Sequence, residues 1–274
     1  MSYLLTTYHW PLLSRPQVAG FGCPVTGTKW SIESVCEELD QLLRTGNYVG
    51  IGEGIRYMDP TDPRGPYSIH YDETTVVKNM MRVCDVARQY KVPIRYHSGV
   101  PSGYAFSYHG FSSTYNPLWA HDLAIAFPDL TIIMEHAGVE GGWWEYFYEA
   151  SLHVAAGHKN VYLETGRYWA ELYYKPLNDP NIGPEKLLWG TDWGASLPAY
   201  TNLGGKYLPA TYTRQNFREG IPTHQVDIRG WSLKQLERLD ISQDDLNLIL
   251  GGNAVRVYPL RTPSGLTRMF KLVE

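Results

Sequence analysis

Cysteine is scarce in this 274-residue chain: Cys23, Cys36 and Cys84 are odd in number, widely spaced and free of any CxxC pair. That excludes a disulfide-stapled scaffold and points to a reducing compartment. Charge is thin as well. Asp, Glu, Lys and Arg make up 19% of the chain, below the roughly 25% usual in soluble proteins. Lys and Arg number 24 against 28 Asp and Glu, a formal net charge of −4, so the basic stripe of a nucleic-acid-binding protein is missing. No apolar run approaches the roughly 18 residues of a membrane span. The opening MSYLLTTYHWPLL has neither a basic start nor a small-residue cleavage site, which argues against a signal peptide. Intrinsic disorder is excluded by 43% hydrophobic residues. The expectation is a soluble, cytoplasmic protein with no nucleic-acid or membrane partner.

What the chain has in plenty is aromatic side chains: 21 Tyr, 9 Trp and 7 Phe. They form either a large core with a Tyr-rich surface or the walls of a deep pocket for an apolar or aromatic ligand. The length suits one large domain or two small ones. Nothing in the composition marks a boundary, so a single domain over residues 1–274 is expected.

Short apolar runs alternate with helical segments. Ser2–Thr7, Gln17–Pro24, Tyr48–Gly52, Pro93–Tyr96, Leu130–Glu135, Val161–Glu164 and Leu187–Trp189 read as strands. Ser31–Arg44 carries Ile32, Val35, Cys36, Leu39, Leu42 and Leu43 at helical spacing, with Ser31 placed as an N-cap and Gly46 just past the end. Asp72–Tyr90, Leu118–Phe127, Trp143–Ala156, Leu233–Leu239 and Gln243–Leu250 repeat that spacing, and the Tyr- and Gly-rich stretch over 195–230 reads as a loop. Strands separated by helices make parallel β/α units, because parallel strands need a long crossover.

Periodicity does not separate a doubly wound sheet from a closed barrel; the polar residues do. Glu53, His97, His136 and Asp192 each stand at the C-terminal end of a different expected strand. In a barrel those ends meet at one mouth, where catalytic groups gather. The expected fold is therefore an α/β, (β/α)8-type TIM barrel. A lone histidine after a strand is ordinarily a satisfied one. Four metal-compatible side chains at equivalent places are harder to explain, since buried carboxylates are costly unless paired or bound to a cation. Imidazole with carboxylate suits zinc, manganese, iron or cobalt.

These residues carry a resemblance to the amidohydrolase superfamily, in the branch that contains aminocarboxymuconate-semialdehyde decarboxylase and related metal-dependent hydrolases. VPIRYHSG resembles the fifth-strand motif, FPDLTIIMEHAG the sixth and KLLWGTDWG the eighth, while ILGGNAVRVYPL is similar to the closing helix. The resemblance covers roughly residues 17–260. It implies a divalent ion (zinc, manganese or iron) held by Glu53, His97, His136 and Asp192, with Asp192 shuttling a proton and His136 steadying the bound water or the oxyanion. The chain departs from the family in one respect: the first-strand His-x-His is absent, and His9 has no partner two residues on. The barrel is accordingly expected to be incomplete or atypical at its first strand, with Gly265–Val273 filling or covering the gap.

The reading that follows is hydrolysis of an amide, lactone or ester bond in a small aromatic or carboxylate-bearing substrate. Its rivals are non-oxidative decarboxylation of an aromatic or unsaturated acid, and a non-catalytic member or partner subunit. Arg56 and Arg167 offer bidentate pairing to a substrate carboxylate, or else form surface or interface salt bridges. Glu135 and Glu164 are expected to be structural, Glu135 because it precedes His136 and should point away from the mouth. Trp143–Trp144, Tyr168–Trp169 and Tyr173–Tyr174 either wall the pocket or pack against a neighbouring subunit. His109, His121 and His158 are expected to be solvated, and a homo-oligomer is expected.

Overall fold

In the computed structural model the described residues are 32–46, 48–52, 73–98, 117–139, 144–191 and 228–259. The expected strands Ser2–Thr7 and Gln17–Pro24, the site residues Glu53, Arg56 and Asp192, and the tail Gly265–Val273 lie outside them.

Four short β-rich runs become strands β1 (Ile94–His97), β2 (Ile132–Glu135), β3 (Val161–Glu164) and β4 (Leu187–Leu188). They form one parallel sheet in the order β1-β2-β3-β4. Ile51 adds a parallel bridge to Ile94 on the other side of β1. Its N–H donates to Pro93 O at 2.9 Å, and Arg95 N–H donates back to Ile51 O at 2.8 Å. Each strand therefore lies beside its sequence neighbour, and over this arc there is no reversal of order such as a doubly wound sheet requires. The fold is α/β. The segments needed to close a ring fall outside the described residues.

The helices follow from the apolar spacing. Helix α1 (Ile32–Arg44) buries Ile32, Val35, Leu39 and Leu43 along one stripe, and Gly46 ends it with φ +71° and an N–H donated to Leu43 O. Such a conformation favours glycine. Helix α2 (Glu73–Tyr90) is tied to α1 by the Tyr90 hydroxyl, which donates to Asp40 Oδ1 at 2.6 Å. Then come α3 (Trp119–Ala126), α4 (Trp144–Gly157), α5 (Ala170–Asn178), α6 (Ile228–Leu236), α7 (Gln243–Asn247) and, after a π-helical turn at Leu248–Gly252, α8 (Asn253–Val257). The apolar spacing of the sequence does not announce helix α5. Pro176 lies inside it and masks a short amphipathic pattern whose buried face is Ala170, Leu172, Tyr173 and Pro176. No helix among the described residues is long and apolar enough to cross a membrane.

Strand side chains alternate between faces, and the two faces differ sharply. Ile94, Ile132, Met134, Val161, Leu163 and Leu187 belong to the helix-packed core. The alternate positions are Arg95, Ile133, Glu135, Tyr162, Glu164 and Leu188. The tyrosines after β3 belong to the first group: Tyr168 and Tyr173 are fully buried, stacked edge to face at 5.2 Å, and Tyr168 meets Tyr148 of α4 at 5.6 Å. They pack in the core with Tyr148 of α4. Tyr174 is half exposed, and Trp143 lies outside the described residues.

Candidate functional site

At the C-terminal ends of β2 and β3 three ionisable side chains meet. Single ligand atoms from Glu135, His136 and Glu164 all lie within 4.8 Å of one another, and all three residues are buried. Glu164 Oε2 accepts the His136 backbone N–H at 2.9 Å and stands 3.4 Å from His136 Nδ1. Arg95, one strand over, pairs its guanidinium with Glu135 Oε1.

Strict alternation would place residues 135 and 136 on opposite faces, which is why Glu135 was expected to point away. The chain breaks that alternation at once. His136, Ala137 and Gly138 take φ values of +59°, +41° and +82°, a left-handed run that non-glycine residues enter only at a cost. The strand ends, the backbone swings, and the imidazole returns to the side of Glu135 and Glu164. The expectation that Glu135 points away from His136 is thus corrected: its carboxylate and that of Glu164 lie with the imidazole in one cluster, where Glu164 also braces the His136 backbone.

Local bonds hold this turn. Ser98, directly after β1, donates its hydroxyl to Glu135 O at 2.7 Å and accepts the Gly138 N–H at 2.8 Å. Val139 N–H closes onto His136 O at 2.9 Å. Gly138 has no room for a side chain, since a Cβ would lie 2.3 Å from the Phe147 backbone. Gly190 performs a related service at the end of β4: a Cβ there would fall 1.8 Å from Glu164 Oε1. Its absence lets the Glu164 carboxylate lie across the strand ends towards the segment that leads to Asp192.

The end of β4 is fixed from outside the sheet. Trp189 N–H donates to Ile249 O at 3.0 Å, and its indole N–H donates to Ser232 Oγ of α6 at 2.8 Å. Asn253 of α8 donates to both Pro184 O and Leu187 O at 2.7 Å. The helices after residue 228 therefore position the strand that precedes the GTD triplet. Tyr258, just beyond α8, titrates under the influence of the cluster. Burial pushes its hydroxyl up to about 12 against the pull of Arg95, with Glu135 and Glu164 adding to the rise.

Of the residues singled out in the sequence, His136 lies in this cluster. The backbone of His97 ends β1 in register with Glu135; its side chain lies outside what is described, as do Glu53, Arg56 and Asp192. Arg167 follows β3 and is buried, 2% exposed, so the surface salt bridge considered for it is ruled out. It sits in a turn closed by Tyr168 N–H onto Thr165 O at 3.0 Å. Arg95, Ser98, Glu135, Glu164 and Gly190 were missed. Only Glu164 had a usable signal: a carboxylate closing a buried strand, in the same place as the candidate ligands.

The cluster suits a cation. Two buried carboxylates and an imidazole within reach of one another make a polar group whose burial is costly unless its members are paired or bound to a cation. The donor set, two carboxylates and one imidazole, is one that divalent transition ions accept.

The amidohydrolase family model matches residues 16–260. The chain belongs to the amidohydrolase family. A crystal structure from Staphylococcus aureus, described as an amidohydrolase, is similar at 14% sequence identity with a TM-score of 0.43, covering 83% of this chain and 70% of that one. No curated protein matches the sequence.

Proposed function

We propose that the protein is a metal-dependent hydrolase that cleaves an amide, lactone or ester bond in a small aromatic or carboxylate-bearing substrate. The observation that carries this reading is the buried Glu135–His136–Glu164 cluster at adjacent strand ends, in a chain of the amidohydrolase family. Glu135, His136 and Glu164 would hold a divalent ion, joined by Glu53, His97 and Asp192 as the family resemblance implies. Such an ion supplies Lewis-acid polarisation and lowers the pKa of bound water towards ~7.

The chain's own residues do the rest. Arg95 pairs with Glu135 and orients its carboxylate. Glu164 anchors the backbone of His136, so the imidazole is presented by a turn with little freedom to swing away. Asp192 would take the proton released from water and return it to the leaving group, within general acid–base practice. Arg167, buried beside the end of β3, would pair with a substrate carboxylate, where a planar fork gives direction as well as charge. Burial of Glu135, His136, Glu164 and Arg167 excludes water and strengthens their interactions.

The test is a metal analysis of purified protein with H136A, E164Q and H97A beside it, followed by a screen of aryl esters, lactones and amides. Bound metal in the wild type, sharply lower in each variant, with hydrolysis lost on chelation and restored on metal return, is the expected result. Carbon dioxide release from an aryl acid without hydrolysis would move the protein to the decarboxylases. Absence of both metal and turnover would leave a non-catalytic member of the family.

A further inference from the structure

Ser98 borders the cluster without belonging to it. It follows His97 directly in the chain and is fully buried. Its backbone N–H and its hydroxyl both donate to the carbonyl of Glu135, at 3.3 Å and 2.7 Å. The Ser98 hydroxyl oxygen in turn accepts the Gly138 N–H at 2.8 Å. Between these two anchor points lie His136 and Ala137, both with positive φ. One hydroxyl thus spans the whole left-handed turn.

We propose that Ser98 is a positioning residue: its hydroxyl ties the end of β1 to the turn that presents His136, and so fixes the imidazole against Glu135 and Glu164. Its consequence for function rests on the reading of that cluster as a metal site. The backbone supplies the argument. His136 and Ala137 hold φ values of +59° and +41°, a region that residues with a Cβ leave unless their surroundings hold them there. Glu164 accepts the His136 N–H at the start of the turn, and Ser98 brackets both ends from a different strand. Released from that bracket, the backbone would relax and carry the imidazole with it.

The task needs a hydroxyl. One small group must give a proton to Glu135 O and accept the Gly138 N–H, and serine does both through a single oxygen. Alanine would do neither, and would strand the Gly138 N–H as a buried donor, which costs more than a made hydrogen bond gains. On its other side the turn presses on α4, where a Cβ on Gly138 would lie 2.3 Å from the Phe147 backbone. The turn is therefore gripped between β1 and α4. Because β1 ends at His97, in register with Glu135, the clamp also sets the offset between the strand ends that carry His97 and His136, two of the ligands expected from the sequence.

The experiment compares the full chain as wild type, S98A, S98T and Y90F. The last removes a hydrogen-bonding hydroxyl between α1 and α2, ahead of β1 and remote from the turn, and reports the cost of a lost hydroxyl alone. Without metal, the His136 imidazole is followed by carbon-13 NMR of labelled histidine, assigned through H136A, and the Gly138 amide by hydrogen exchange. In the wild type the imidazole should give one narrow signal and the Gly138 amide should be protected. A mobile ring or a freely exchanging amide there overturns the proposal, whether or not the variants fold. S98A should broaden or split the His136 signal and S98T restore it, whereas Y90F lowers the Tm and leaves that signal alone. Titration with zinc(II) or manganese(II) should show affinity reduced roughly tenfold in S98A, the lower end of what removing a ligand's support costs, with S98T and Y90F near wild type. An unchanged His136 signal in S98A, or an equal change in Y90F, overturns the proposal. A wild type that binds no metal would instead sink the hydrolase reading, and the metal-free spectra would still decide the role of Ser98.

Discussion

The two faces of one four-stranded sheet obey opposite rules. Towards the helices, Ile94, Ile132, Met134, Val161, Leu163 and Leu187 form a continuous apolar layer, held by burial and tolerant of similar shapes. On the other face, Arg95, Glu135 and Glu164 are brought together while largely or fully removed from water, and each depends on a particular partner. Burial on the first face is favourable in itself; on the second it is unfavourable until charges are matched. The contrast teaches that the charged face rests on particular pairings where the apolar face rests on burial alone.

The largest stability effect should come from the apolar face. Leu163→Ala, at a fully buried position, should lower unfolding free energy by about 2–5 kcal/mol while leaving metal stoichiometry unchanged, as denaturant melts and metal analysis would show. Glu135→Ala tests the other face. It strips Arg95 of its carboxylate, and should cost about 2–3 kcal/mol, less than a fully buried pair because Arg95 retains some contact with water. Metal affinity should fall with it. If Glu135→Ala is neutral for both, the charged face is no different from a surface.

Gly190→Ala sharpens the contrast further. Its Cβ would displace the far end of the Glu164 side chain, which can shift at small cost, so stability should change by about 1 kcal/mol or less. Metal binding should nevertheless weaken, because the carboxylate is moved. A variant that keeps full metal affinity would show that Glu164 is not a ligand.

The smallest effect at neutral pH, and the one most specific to this face, concerns Tyr258. Its folded-state pKa is raised to about 12 from an ordinary value of about 10. The folded state therefore binds more protons than the unfolded one between these values, and stability contributed by the neutral hydroxyl is present below pH ~10 and lost as pH rises towards 12. Alkaline melts of wild type and Tyr258→Phe should diverge only in that window.

Several elements were legible from spacing alone. Helices α1 and α2 and strands β2 and β3 follow the apolar periods within a residue or two, because a helix stripe and a strand alternation are local consequences of burial. Helix α5 was hidden by Pro176, whose breaking signal outweighs a short pattern. Among the described side chains, the sequence points to the site at His136. Reading Glu135 as remote relied on period-two alternation, and that rule lapses where the left-handed turn at His136 and Ala137 begins. Arg95 and Ser98 come to the cluster through strand register, and His121 and His158 meet at 2.7 Å through the packing of α3 against the turn after α4.

The sequence by itself determined that strands and helices would alternate, that polar residues would stand at strand ends, and that the family's sixth-strand histidine would be among them. Only the tertiary structure decided that two glutamates would join that histidine and that one arginine would neutralise one of them. The reason is physical: periodicity records which face of an element is buried, whereas the meeting of charges depends on register, on the hand of a single turn, and on a missing Cβ two strands away.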